Sequence, residues 1–176
     1  MGASLTIAKT KKGYRFEGSM DEFANLSFYS THIHPEEFPN HQPMEFDFDK
    51  VTRSNSAGLV EWLKYVQGLA QPFYYTKCPP WMVGQFNSIS QFFPEQLSSV
   101  VSFYVPYYCN DDDSNRNFLY SVGKEVKLDQ IAQTDSGPKS TEGKNYVPDF
   151  MPEKYFAFLE KNKDNFKQFF SSYRIY

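Results

Sequence analysis

Apolar and polar residues alternate along several short stretches of the chain, and one of these runs directly into a helical pattern. Leu5, Ile7, Tyr14 and Phe16 alternate with polar residues around Lys11-Lys12-Gly13, which predicts a hairpin over Ser4–Lys9 and Tyr14–Gly18. Asp21-Glu22-Phe23 opens a short helical or irregular stretch to Thr31. The loop His32–Pro43 follows, rich in proline and histidine. Met44, Phe46 and Phe48 then alternate, predicting a strand over Met44–Val51. Beyond the turn Asn55-Ser56-Ala57-Gly58, the residues Leu59, Trp62, Leu63, Val66 and Leu69 recur at helical spacing, so Ala57–Leu69 reads as an amphipathic helix.

Pro72–Lys77 reads as a short aromatic strand. Cys78-Pro79-Pro80-Trp81 ends it and opens a second helix, because proline is favoured in a first helical turn, where its missing N–H would have had no partner. Met82, Val83, Phe86, Ile89, Phe92 and Phe93 form that helix's apolar side. Ser98–Tyr108 is strongly β-prone, and Pro106 predicts that its end lies at a sheet edge or leaves the sheet. After Cys109 the pattern changes. Asn110–Arg116 reads as a polar turn, Phe118–Val122 and Glu125–Leu128 as a second hairpin, and Thr134–Asn145 as a loop. Glu153–Tyr173 reads as one helix with Tyr155, Phe156, Phe158, Leu159, Phe166, Phe169 and Phe170 on its aromatic side. The order β-β-(α)-β-α-β-α-β predicts an α/β fold, a mixed sheet covered by helices, over residues 1–108. A small α+β extension over 109–176 is expected to pack on it.

Composition narrows the function classes. The chain has 176 residues, 40% of them hydrophobic, with 18 Phe and 13 Tyr, enough for a substantial core in one domain with an appendage, or for two very small domains. A net charge of −3 without a basic run leaves no electrostatic footprint for nucleic acid. No apolar stretch approaches the length of a membrane span. The opening MGASLTIAKTKKGY lacks an apolar signal core, and Gly2 stands in no convincing lipidation context, so a cytoplasmic location is expected. Cys78 and Cys109, far apart, read as reduced thiols.

Candidate chemistry is sparse. His32, His34 and His41 with Glu36 and Glu37 are metal-ligand types, but their spacing matches no strict site, and a solvated loop accounts for them. Cys78 with a histidine could form a nucleophile pair; a thiol at a strand end beside Pro79-Pro80 is the far simpler reading. Asp111-Asp112-Asp113 has no calcium-loop spacing around it. No phosphate loop, dinucleotide fingerprint or hydrolase elbow is present. No metal and no cofactor is expected. Tyr74, Tyr75, Trp81, Phe103, Tyr104, Tyr107 and Tyr108 could line a ligand pocket or a protein-binding patch; burial by the Phe-rich final helix is the simpler reading.

The opening hairpin, the segment Phe16-Glu17-Gly18-Ser19-Met20-Asp21-Glu22 and the strand–turn–helix VTRSNSAGLVEWL together resemble the STAS domain, the sulfate transporter and anti-sigma factor antagonist fold. The resemblance runs from about Ser4 to Pro106, the size of a small domain. In the antagonists the turn reads Asp-Ser-Ser/Thr-Gly-Leu and its first serine is phosphorylated by a partner kinase. Ser56 falls on that serine and Asn55 replaces the aspartate. The chain also resembles a bacterial STAS-like group with an Asn-Ser-x-Gly-x-x-Glu-Trp turn, matched at Asn55, Ser56, Gly58, Glu61 and Trp62. In that group Cys-x-x-Cys pairs suggest a zinc-ribbon extension; here Cys109 alone remains.

The resemblance implies a non-enzymatic bacterial signalling module. It would bind an anti-sigma-type, kinase-like or other regulatory protein through Ser54, Asn55, Ser56, Ala57, Gly58 and Glu61. Ser56 is either a phosphoacceptor, whose added charge would alter the partner surface, or a helix-capping serine. Asn55 either orders the loop or reads a partner backbone. A ligand- or lipid-binding accessory module of a transport system is the alternative, and an enzyme with an unrecognised site is a third class.

Overall fold

The computed structural model describes residues 4–39, 42–133 and 143–175. Strands β1 (Thr6–Lys9), β2 (Gly13–Met20), β3 (Met44–Ser54), β4 (Phe73–Thr76) and β5 (Ser98–Val100) form one sheet in sequential order. The β1–β2 pair is antiparallel and the other pairs are parallel, so this is a mixed α/β sheet. Helices α1 (Leu26–His32), α2 (Ser56–Gln67) and α3 (Pro80–Ser88) are the crossovers. A sequential strand order with right-handed crossovers puts every crossover helix on the same face. The ring contacts agree. Trp62 of α2 meets Phe16, Phe46 and Phe48, Tyr29 of α1 meets Trp62, and Phe86 of α3 meets Tyr75.

The period-2 alternation of β3 therefore divides cleanly. Met44, Phe46 and Phe48 are fully buried under the helices. Glu45 and Asp47 point to the opposite face. There Asp47 Oδ2 accepts from Arg15 Nε and Lys77 Nζ, both at 3.2 Å, and Glu45 accepts from the Thr76 hydroxyl at 3.1 Å. This charged face is internally paired.

The β-prone run at 98–108 is not one strand. It splits at Val101 into β5 and β6 (Ser102–Cys109), and β6 is the central strand of a second, antiparallel sheet between β7 (Ser114–Ser121) and β8 (Tyr146–Pro148). The second sheet thus starts within the first 108 residues. Pro106 neither ends the strand nor leaves the sheet. Its carbonyl accepts from Asp149 N–H at 3.2 Å, one rung past the end of β8, so the missing proline N–H costs only that terminal rung. The two sheets are joined at Cys78, whose N–H donates to Ser102 O at 3.2 Å and whose carbonyl accepts from Tyr104 N–H at 2.8 Å.

Two further expectations change. Ser114–Arg116, expected in a turn, opens β7, which pairs with β6 along its whole length. Glu125–Leu128 forms no hairpin strand, and only an isolated Val122–Val126 bridge remains of that pairing. The Gly123 backbone, at φ 94°, turns the chain there too sharply for a ladder to start. The C-terminal helix is three pieces, α4 (Pro152–Tyr155), α5 (Ala157–Lys161) and α6 (Lys163–Tyr173), broken at Phe156 and Asn162. Asn87 of α3 bonds both sides of the first break, and Asn162 Nδ2 turns back to Phe158 O at 2.7 Å. Of the expected Thr134–Asn145 loop, 134–142 lie outside the described residues.

The extension shares the core of the first sheet. Phe158 stacks on Phe93, Phe166 meets Phe93 edge-on, and Phe158 also meets Phe86 and Phe103. Tyr75 and Phe103 are fully buried, so these aromatics fill the core instead of lining a pocket. No helix among the described residues is long and apolar enough to cross a membrane.

Candidate functional site

The turn at Asn55 lies at the C-terminal ends of β2 and β3, where parallel α/β sheets commonly present their binding groups. Ser54 is the last residue of β3. Asn55, not Ser56, is the cap of α2: its Oδ1 accepts from Gly58 N–H at 2.9 Å and its carbonyl accepts from Leu59 N–H at 3.0 Å. The carboxamide's other end donates to Glu22 Oε2 at 2.6 Å, and Asn55 N–H donates to Met20 O at 3.0 Å. Asn55 therefore ties the α2 start to the end of β2 and to the turn beyond it. An aspartate could accept from Gly58 but would set a second carboxylate against Glu22. This is a physical reason for asparagine at this position in this chain.

Ser56 is the first helical residue. It is exposed, and its hydroxyl bonds to no described residue. The capping role considered for Ser56 thus falls to its neighbour. Ala57 is exposed beside it. Gly58 is buried because α2 touches the β2 backbone: a Cβ there would lie 2.4 Å from Met20 O and 2.7 Å from Asp21 N. Glu61, one turn further, caps α1 by accepting Leu26 N–H at 3.0 Å, and it pairs with Lys64 at 2.6 Å.

Two shallow depressions flank the turn. One, of ≈ 280 Å³, is lined by Ser19, Met20, Asp21, Glu22, Arg53, Ser54 and Asn55. In it Arg53 Nε donates to Ser19 Oγ at 3.2 Å. The other, wide open, lies between Glu22, Asn25, Ser56, Ala57, Val60 and Glu61. The rim is acidic. Glu22 is held below the usual carboxylate range by its own backbone N–H and by Asn55, and Glu61 by Lys64 and Leu26 N–H.

Sequence reasoning missed the apolar component of this surface. Phe23, Leu26 and Val60 are 73%, 43% and 48% exposed, and they stand on the segments that wall the second depression. Phe23 and Leu26 fall just before and at the start of α1, where no periodicity assigns them a face. Val60 follows the buried Leu59 on the outward side of α2, which the helical spacing could have revealed.

The other candidates lie elsewhere. His32 Nδ1 is at 2.8 Å from Phe28 O and His34 Nδ1 at 3.5 Å from Glu36, while His41 lies outside the described residues. No cluster of metal-ligand side chains occurs among the described residues. Cys78 and Cys109 are fully buried and unpaired, near opposite ends of β6. Burial pushes the Cys78 thiol well above its usual pKa, the opposite of what a thiolate nucleophile needs. Asp112 pairs with Lys144 at 2.7 Å and Asp111 accepts from Asn145 N–H at 3.0 Å, so the acidic run anchors the start of the β8 segment. A further depression of ≈ 540 Å³, beside Asp129 and Lys167 on the extension, shares no lining residue with the turn and holds that exposed ion pair.

No family model, no curated protein and no solved structure matches the chain.

Proposed function

We propose that the chain is a non-enzymatic protein-binding module of bacterial signalling, similar to the anti-sigma factor antagonists. Its contact surface is the Ser54–Glu61 turn and the start of α2, and phosphorylation of Ser56 is the switch. The observation that supports this most is the state of Ser56: exposed, free of capping duty because Asn55 performs it, and lining one open depression with the exposed Val60, while the exposed Phe23 and Leu26 stand beside Glu22 and Asn25 of the same wall. Exposed apolar side chains grouped together are typical of a protein contact. The rim residues Asp21, Glu22 and Glu61 suit a partner that offers an apolar residue flanked by basic ones, as in a regulatory or kinase-like protein. A phosphate on Ser56 would add about −2 charge to an already acidic rim and hydrate the apolar patch, releasing the partner.

The test is affinity capture from the native organism with wild type, Ser56→Asp and Val60→Asp as baits, followed by intact-mass measurement of recovered wild-type bait. A partner lost with both variants, and a phosphorylated fraction of the wild type, supports the reading. A partner retained equally by all baits, or none captured by wild type, would overturn it.

A further inference from the structure

We infer that β7 is a dimerisation edge, and that two copies of this chain pair β7 to β7, antiparallel, about a two-fold axis through Asn117. The inference stands on the second sheet and does not depend on the role of α2.

Parity along the β6–β7 ladder supplies the first argument. Val122 N–H donates to Val101 O at 2.9 Å, so the even-numbered residues of β7 direct their backbone groups toward β6. The odd-numbered residues point the other way, and Ser121 shows it: its N–H donates to Glu125 Oε2 at 2.9 Å and its carbonyl accepts from Val126 N–H, both outside the ladder. Asn115, Asn117 and Leu119 therefore present their N–H and C=O groups at the free edge, where they have no partner among the described residues. All three are exposed.

The second argument is that this edge lacks the devices that keep other edges from pairing. Such devices are shortness, proline, bulges, inserted charge or a covering helix. In the larger sheet, β1 has four residues and ends on Lys9, and β5 packs against α6. In the smaller sheet, β8 has three residues and ends on Pro148. By contrast β7 has eight residues, an unbroken register, no proline and only Arg116 as a charge.

The third argument is self-complementarity. A two-fold axis through Asn117 sets Asn115 opposite Leu119 of the second copy, and Arg116 opposite Phe118 of the second copy, so the lone cation never faces itself. The same register carries the acidic turn Asp111–Asp113 of each copy toward the turn of the other that holds Lys124, whose side chain is 82% exposed. The outward row of Tyr104 and Tyr108, paired in register with Leu119 and Asn115, continues across the join.

The test uses the full chain in analytical ultracentrifugation over a concentration series. Wild type is expected at twice the 20.6 kDa chain mass at high concentration, and Asn117→Pro as monomer throughout with unchanged circular dichroism. Proline there removes only an outward-facing N–H and leaves the β6–β7 ladder intact. Asn117→Cys is the second arm. Paired residues about 5.5 Å apart can be bridged by a disulfide, and both native cysteines are buried. Oxidised Asn117→Cys should therefore run as a covalent dimer, and oxidised wild type should not. A monomeric wild type, a dimer that survives Asn117→Pro, or an Asn117→Cys variant that fails to cross-link would each overturn the inference. If Asn117→Pro does not fold, wild-type mass and cross-linking decide.

Discussion

Asn87 Oδ1 accepts the backbone N–H of Phe158 at 2.7 Å while its Nδ2 donates to Tyr155 O at 3.0 Å, so one side chain serves both ends of the α4–α5 break. Removing it leaves an amide and a carbonyl unpaired beside the fully buried Phe158. Asn87→Ala is expected to cost on the order of 2–3 kcal/mol. Urea denaturation gives the magnitude, and faster amide exchange at Phe158 gives the location. A change below about 0.5 kcal/mol would show that water replaces the clamp.

Asn55 and Ser56 separate by their caps. Asn55→Ala removes the bonds to Gly58 N–H and Glu22 and should cost about 1–2 kcal/mol, whereas Ser56→Ala should stay within about 0.5 kcal/mol. Asn55→Asp keeps the acceptor but opposes Glu22, so it should fall between them at neutral pH and gain on Asn55→Ala as salt is raised. Thermal melts of the variants side by side decide this. Equal losses at both positions would refute the assignment of the cap.

Two glycines should respond in opposite directions. Gly58→Val drives a side chain into the Met20 carbonyl, and about 2–3 kcal/mol of destabilisation is expected. Gly84, in α3, has nothing within 4 Å of a Cβ, so Gly84→Ala should stabilise the helix by about 0.5–1 kcal/mol. Denaturant midpoints of the pair test the α2–β2 contact independently of partner binding.

Alkaline stability follows from the tyrosines. Burial pushes Tyr74 and Tyr104 up from 10.0 to about 12, and Asp49 adds to the shift at Tyr104; Tyr29, Tyr65 and Tyr155 are raised further by burial. The folded state holds these protons where the unfolded chain would release them. The contribution is complete below pH 10.0; for Tyr74 and Tyr104 it is lost as pH rises to about 12, and for the other three the loss extends to higher pH. Phenolate absorbance should therefore appear together with loss of circular dichroism. Full tyrosine ionisation in a protein that keeps its native spectrum would contradict the buried placement.

Legibility in the sequence followed the range of the forces involved. The strands at Leu5–Ile7, Phe16 and Met44–Phe48 and the helix at Leu59–Leu69 were readable because one face of each is buried, and burial imposes a period. The kink at Val101 was not, because both halves of the run are β-prone and only the bridge through Cys78 assigns them to different sheets. The helix breaks at Phe156 and Asn162 were hidden for a similar reason: the partner that stabilises the first is Asn87, distant in the sequence. At the turn, the type of residue was legible but its duty was not. Capping by Asn55 and exposure of Ser56 depend on a one-residue difference in where α2 starts, and helix ends are the least determined part of any periodic pattern.

The join at Cys78 sets how the molecule comes apart. Its N–H and carbonyl hold the start of β6, and the same residue lies two positions past the end of β4, so neither sheet can open at that end without freeing polar groups in the interior of the other. Together with the aromatic cluster of Phe86, Phe93, Phe103 and Phe158, this should make the chain a single cooperative unit with one melting transition, in which loss of the smaller sheet is loss of the whole fold.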